Sequence, residues 1–360
     1  MRSWWRKALP RSGSAAESPP GGQHQRPGQA GSAVPPEGGG GSAAPPAGAT
    51  RDRSSSAEHV LKRLEWTTIR RLDGLLQGDY RTLLRGAGLD LADLREYQHH
   101  DDVRHIDWNV TARQGTPHVR VFTEDREMAA WFLLDLSPSV DFGSGEQRKR
   151  HVSAEFVAVL ARLLTRHGNR VGAMLYGSGV DTVIPTRGGR RHVLHLLDAI
   201  QTRPAAAASQ TTRLRDLLDA AASLLKRRST VFVVSDFISE PGWERSLALL
   251  SQRHEVVAVR LLDPLELQLP DLGLLTLRDA ESGEQVLVDT HDPGFRKRFA
   301  RIAAQRESEL RQALATAGID ALELSTDGDL VDALVRFVEM RKRRLRLAAG
   351  SLPAHLKRVA

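Results

Sequence analysis

The chain has 360 residues, a formal net charge of +7 and no cysteine. That length suits one large domain or two ordinary ones, and the lack of thiols excludes disulfides, thiolate metal sites and cysteine nucleophiles while fitting a reducing, cytoplasmic setting. The charge is unevenly placed: residues 1–57 carry +4, residues 341–360 carry +7 and the body between them carries −4, so the basic total is a property of the tails and nucleic-acid binding is not expected.

Residues 1–57 hold eight of the 17 prolines and ten of the 30 glycines, a composition that buries too little apolar surface to offset its ordering entropy and is expected to be a disordered basic tail. An amphipathic helix is expected from Glu58, on the spacing of Val60, Leu61, Leu64, Ile69, Leu72, Leu75 and Leu76. Gly78 ends that pattern. The stretch 79–127 is polar and poor in helical periodicity, with one short strand expected at Val119–Phe122. Residues 58–128 are therefore read as an N-terminal helix and a charged segment, ahead of a domain over 129–346 and a basic tail at 347–360.

From Ala129 the pattern alternates. Continuous apolar runs at 131–134, 171–176, 231–234 and 256–262 suit strands buried on both faces of a parallel sheet. Helices are expected around Val152, Phe156, Val159, Leu160 and Leu163, and at 190–200, 214–227 and 242–253. After Asp263-Pro264 come hairpin strands at 272–277 and 285–288, a long helix at 293–316, a strand at 319–324 and a last helix at 328–346. Strand–helix alternation of this kind means an α/β, doubly wound, mostly parallel open sheet. No apolar stretch approaches the ~18 residues of a membrane span, so membrane contact is not expected.

Asp135-Leu-Ser-Pro-Ser139 leaves the end of the first of these strands. A carboxylate and two hydroxyls at alternate positions can converge on one small hard cation, and Mg²⁺ or Mn²⁺ suits such oxygen donors. Thr212 and Asp236 supply two further donors, the latter immediately after the strand at 231–234. Together these residues resemble the metal-ion-dependent adhesion site (MIDAS) of von Willebrand factor A domains. On that reading Ser137 and Ser139 bind the cation directly, Thr212 directly or through water, and Asp135 and Asp236 mainly through water or as anchors behind it. One position stays open for an acidic side chain of a partner. The plainer alternative has the serines capping a helix at 147–167 or satisfying loop backbone, and the aspartates bonding loop amides. A haloacid-dehalogenase phosphatase needs an acid where Ser137 stands.

A second constellation is Arg95-Glu-Tyr97-Gln-His-His-Asp101-Asp102-Val-Arg104-His-Ile-Asp107-Trp108, with Arg113 beyond. Three histidines and three aspartates at 99–107 invite a metal-dependent hydrolase reading, since imidazole and carboxylate are common ligands. Their spacing matches no helical His-Glu-x-x-His pattern. The expectation is a structural network of Asp101, Asp102 and Asp107 against Arg95, Arg104 and Arg113, with Trp108 packed beneath.

Arg95-Glu-Tyr-Gln, Asp101-Asp-Val-Arg, Ile106-Asp-Trp and Thr111-Ala-Arg, followed by Asp135-Leu-Ser-x-Ser139, resemble the bacterial family called "domain of unknown function 58" over about residues 58–345. The resemblance implies a von Willebrand factor A-like core with the signature segment packed on it. It also implies a non-enzymatic, chaperone-like role beside a MoxR-type AAA+ ATPase in maturing or remodelling an unidentified client protein. His99-His100 stand where the family pattern has Pro-Gly, so those histidines are not expected to be ligands. Val140 stands where many relatives have Met. The membrane helices that precede the signature in many relatives have no counterpart in this chain's tail.

Overall fold

The computed structural model describes residues 57–58, 60–64, 68–69, 71–72, 93–98, 103, 106–121, 129–204 and 211–350. The expected tail at 1–56, Leu75 and Leu76, and the signature residues His99, His100, Asp101, Asp102 and Arg104 lie outside them. The first elements are β1 (Asp93–Glu96), α1 (Trp108–Gln114) and β2 (His118–Val121), with β1 and β2 forming an antiparallel pair of their own. The six-stranded sheet comprises β3 (Ala129–Asp135), β4 (Arg170–Tyr176), β5 (Val180–Arg187), β6 (Thr230–Ser235), β7 (Glu255–Leu262) and β10 (Asp320–Ser325). Its strand order is β10-β7-β6-β3-β4-β5, parallel throughout except for the antiparallel edge strand β5. Helices α2 (Lys149–Arg166), α3 (Arg190–Thr202), α4 (Leu214–Leu224), α5 (Trp243–Arg253), α6 (Pro293–Thr316) and α7 (Leu330–Gly350) complete the domain, with a separate hairpin of β8 (Leu274–Arg278) and β9 (Gln285–Asp289).

Burial on both faces explains the apolar runs. Phe132 and Leu134 of β3 point into a core with Phe156 of α2, Leu196 of α3 and Phe337 of α7. The alternate residue Leu133 faces a second core with Leu217 of α4, Leu247 of α5 and Leu314 of α6. This is the period-2 alternation of a strand, read out on two apolar layers. Phe132, Phe156 and Phe232 meet at centroid distances of 5.4 to 6.2 Å, stacked or edge-on. Leu61, Leu64, Ile69 and Leu72 of the expected N-terminal helix are buried in the first of these cores, and the described residues of 57–72 are mostly helical.

The strand β5 was not anticipated. It is an edge strand with alternating exposure and a proline at 185, so its pattern is neither the continuous apolar run of an inner strand nor an uninterrupted alternation. Gly172 of β4 lets it come close: a Cβ there would sit 2.8 Å from the Ile184 carbonyl oxygen. β1 and α1 were also missed, and both are short.

One feature of the signature segment adds to the expectation and one differs from it. Asp107 is buried and is the N-cap of α1, accepting from the backbone N–H groups of Asn109 (3.0 Å) and Val110 (3.2 Å). Trp108, expected beneath the network, is 69% exposed, because the N1 position it occupies points away from the turn that Asp107 caps. Arg113 lies exposed in the last turn of the same helix, and Tyr97 donates its backbone N–H to the Pro117 carbonyl at 2.8 Å.

Candidate metal centre

The chain runs from β3 to β4 and β5 on one side of the sheet, then crosses to β6 on the other. The topological switch point therefore lies at the carboxyl ends of β3 and β6, which is where open α/β sheets collect ligands. Asp135 ends β3 and Asp236 follows β6, so the two aspartates flank it. Both are almost fully buried.

Asp135 is held by two neighbours, one of which is itself fixed by a third residue. Its Oδ1 accepts from the Ser137 N–H (3.0 Å), its Oδ2 accepts from the Ser235 hydroxyl (2.7 Å), and Ser235 Oγ in turn accepts from the Phe237 N–H (2.9 Å). Burial, reinforced by the negative charge of Asp236, pushes the Asp135 carboxyl up to about 6 against these hydrogen bonds. Phe237, one residue past Asp236, has φ of 58°, a left-handed conformation that bulky residues seldom adopt and that tends to mark functional loops. It packs at 5.3 Å from Trp243.

Ser137 opens a short 3₁₀ turn, Pro138–Asp141, with Pro138 in its first turn, a position where the missing N–H of proline is harmless. Neither serine caps a helix: Ser137 makes no side-chain cap bond, and the N-cap of α2 is Arg148. Instead the two hydroxyls face each other at 3.1 Å, and Ser139 also bonds the Asp236 side chain. The other half of the plainer alternative is realised, since Asp135 and Asp236 each take a loop amide, from Ser137 and from Ile238 (2.9 Å).

Lys149, at the start of α2, was not foreseen. Its side chain is 0% exposed and its ammonium donates to Asp236 Oδ2 and Glu266 Oε1, both at 2.7 Å. Burial opposes both charges of the Lys149–Asp236 pair, yet their mutual attraction prevails: the lysine is held above its ordinary range and the aspartate below. Glu266 belongs to a capping box with Asp263 after β7, and buried Asp263 accepts from the Ser144 N–H and hydroxyl (2.8 and 3.0 Å) and from the Thr326 hydroxyl (2.8 Å). The Asp263-Pro-Leu-Glu266 pattern was a legible cap signal. Lys149 carried no such signal.

Thr212 lies on the loop before α4, fixed by its carbonyl, which accepts from the Glu240 N–H (2.9 Å) and the Ser239 hydroxyl (3.0 Å). That ties it to the loop following Asp236. Its Oγ1 is buried, and the Glu281 side chain is its hydrogen-bonding neighbour. The Glu281 carboxylate lies beside it and accepts from the Thr212 N–H at 3.2 Å.

The structure thus brings Asp135, Ser137, Ser139 and Asp236 into one set of contacts and places Thr212 against it through Glu281, itself close enough to Asp236 to feel its charge. Four carboxylates, those of Asp135, Asp236, Glu266 and Glu281, stand against the cations of Lys149 and half-buried Arg306. A small divalent cation fits this surplus of negative charge and these hydroxyls. Among the described residues no three of His, Cys, Asp and Glu form a metal-holding group, so a site here depends on serine and threonine oxygens.

The family model described as "Protein of unknown function DUF58" matches residues 93–309. The chain belongs to the DUF58 family. An uncharacterized protein from Mycobacterium tuberculosis (strain H37Rv) is 39% identical over 296 residues, which is 82% of this chain and 91% of its own. One from Mycobacterium avium is 36% identical over 162 residues, covering 45% of this chain and 95% of its own. Similar solved structures include an aerotolerance-related membrane protein from Bacteroides fragilis (12% identity, 60% of this chain and 99% of that one, TM-score 0.38) and the VWA domain of SpRpn10 (13% identity, 57% and 93%, TM-score 0.35). The fold of this DUF58 chain is the α/β, doubly wound, mostly parallel type expected, with one antiparallel edge. No helix among the described residues is long and apolar enough to cross a membrane.

Proposed function

We propose that this DUF58 chain is a non-enzymatic protein-interaction module whose docking site lies at the carboxyl ends of β3 and β6. In this reading Ser137, Ser139 and Thr212 hold Mg²⁺ or Mn²⁺, with Asp135 and Asp236 behind them. The cation supplies a Lewis-acidic point that binds an acidic group of the partner. The protein's own groups do the rest: Ser235 and the Ser137 amide orient Asp135, and Lys149 pins Asp236. The observation that carries the reading is the concentration of carboxylates and serine hydroxyls at the ends of β3 and β6, with the buried Thr212 hydroxyl against Glu281. Resemblance to the family points to a MoxR-type AAA+ ATPase as the partner, acting on a client protein.

Co-purification with such an ATPase, with and without chelator, tests this. Binding should need Mg²⁺ or Mn²⁺ and should be abolished by Ser137→Ala in a chain that still folds. Chelator-insensitive binding that survives Asp135→Ala would remove the cation from the mechanism.

A further inference from the structure

Glu281 sits at the tip of the β8–β9 hairpin, where a glutamate would ordinarily extend into water. The tip is built to prevent that. Asp279 Oδ1 accepts from the N–H groups of Glu281 (2.8 Å) and Ser282 (3.0 Å), the Asp279 N–H donates to the Glu284 carbonyl (2.8 Å), and Gly283 turns the chain with φ of 71°. This turn sends the Glu281 side chain back toward the loop before α4, where it meets Thr212. The carboxylate is partly desolvated there and lies within the field of Asp236. Among the described residues no Lys, Arg or His forms an ion pair with it, whereas other buried acids of the domain, such as Asp236, Glu307 and Asp320, each have one. A half-buried carboxylate with a like charge nearby and no cation paired to it is a ready ligand for a positive ion. The buried Thr212 hydroxyl lies on the same spot, against the Glu281 carboxylate.

We propose that Glu281 is an internal acidic ligand of the cation site, delivered by the β8–β9 hairpin to the position that a partner's carboxylate takes. This rests on the cation site proposed above and adds a carboxylate from outside its motif. It also gives the hairpin a task. The β8–β9 pair hydrogen-bonds to no strand of the main sheet. Its base packs with Leu269, Val288, Phe295 and Phe299 against the start of α6, and Leu274 and Leu287 stay exposed. A partner that brings its own acidic group must displace Glu281, so the hairpin guards the site and reports its engagement.

The test uses the full-length chain with Mn²⁺ as the metal and acetate as a stand-in for the partner's carboxylate. Calorimetry should show Mn²⁺ binding to Glu281→Gln about tenfold weaker than to the unaltered chain, the smaller of the losses usual when a supporting ligand is removed. Glu281→Asp, which keeps the charge on a shorter arm, should fall between the two. Acetate protons should be relaxed by bound Mn²⁺ in Glu281→Gln and not in the unaltered chain, because the open position becomes available only when the glutamate is gone. Equal Mn²⁺ affinity in all three proteins, with equal acetate relaxation, would overturn the role of Glu281 and leave the cation site standing. Mn²⁺ affinity that is undetectable in the unaltered chain, or unchanged by Ser137→Ala, would overturn the cation site and this proposal with it.

Discussion

Buried charge occurs at two places in this sheet, and they are built on opposite plans. Along β7 and β10 acids meet arginines: Arg260 forks onto Glu307, Arg341 bridges Glu255 and Asp320, and Arg344 joins Asp320 from outside. Planar guanidinium groups satisfy two carboxylate oxygens at once, so these pairs hold a geometry. At the carboxyl ends of β3 and β6 one lysine serves Asp236 and Glu266, while Asp135 and Glu281 are held by hydroxyls and amides alone. Both of these acids hold their protons more tightly than usual, chiefly because they are buried. Matched pairs at one edge read as structure. Surplus acid at the topological switch reads as a place for a cation to bind.

The strongest way to break this contrast is to remove a cation from each region. Lys149→Met strands two buried acids and should lower stability by about 3–5 kcal/mol, and Arg341→Met should do much the same at β7 and β10. Urea unfolding measures both. Mg²⁺ should recover part of the loss in Lys149→Met and none in Arg341→Met; equal recovery, or none in either, would erase the distinction.

Next in size is the pH dependence of Asp135. Its carboxyl is raised from 3.8 to about 6, so below pH 3.8 both folded and unfolded chains carry the proton. Between those values the unfolded chain ionises while the folded one stays protonated, and stability falls as pH rises, with the full penalty present above about 6. The shift corresponds to at most about 3 kcal/mol. Cation-free protein should therefore lose stability relative to Asp135→Asn between pH 4 and pH 7, and Mg²⁺ should raise the melting temperature more at pH 7 than at pH 5. A difference between the two proteins that does not change with pH would show that Asp135 is not strained by its surroundings.

Asp107 offers a third kind of buried acid, one whose carboxylate caps a helix by accepting from the Asn109 and Val110 amides. Asp107→Ala should cost about 0.5–2 kcal/mol, as loss of an N-cap does. A loss of 3–5 kcal/mol would place it with the matched pairs, as the sequence had suggested. Smallest of all should be Ser137→Ala, expected to change the melting temperature little while removing Mn²⁺ binding by calorimetry. A large fall in melting temperature would make Ser137 a structural residue.

The inner strands, the helices between them and the position of Asp135 and Asp236 past two strand ends were legible in the residues alone. Continuous apolar runs such as Trp131-Phe-Leu-Leu can be satisfied only by burial on both faces, and that demand is local enough to read along the chain. Edge strand β5 was hidden because its half-exposed pattern resembles a loop, and Trp108 was misplaced because exposure depends on which way a short capped helix turns. The charge partners were decided by tertiary structure. Lys149 reaches Asp236 across 87 residues and Glu266 across 117, and Glu281 reaches Thr212 across 69. Nothing in the local pattern of a lysine or a hairpin glutamate records which loop it will meet, since electrostatic partners follow from the folded path of the chain.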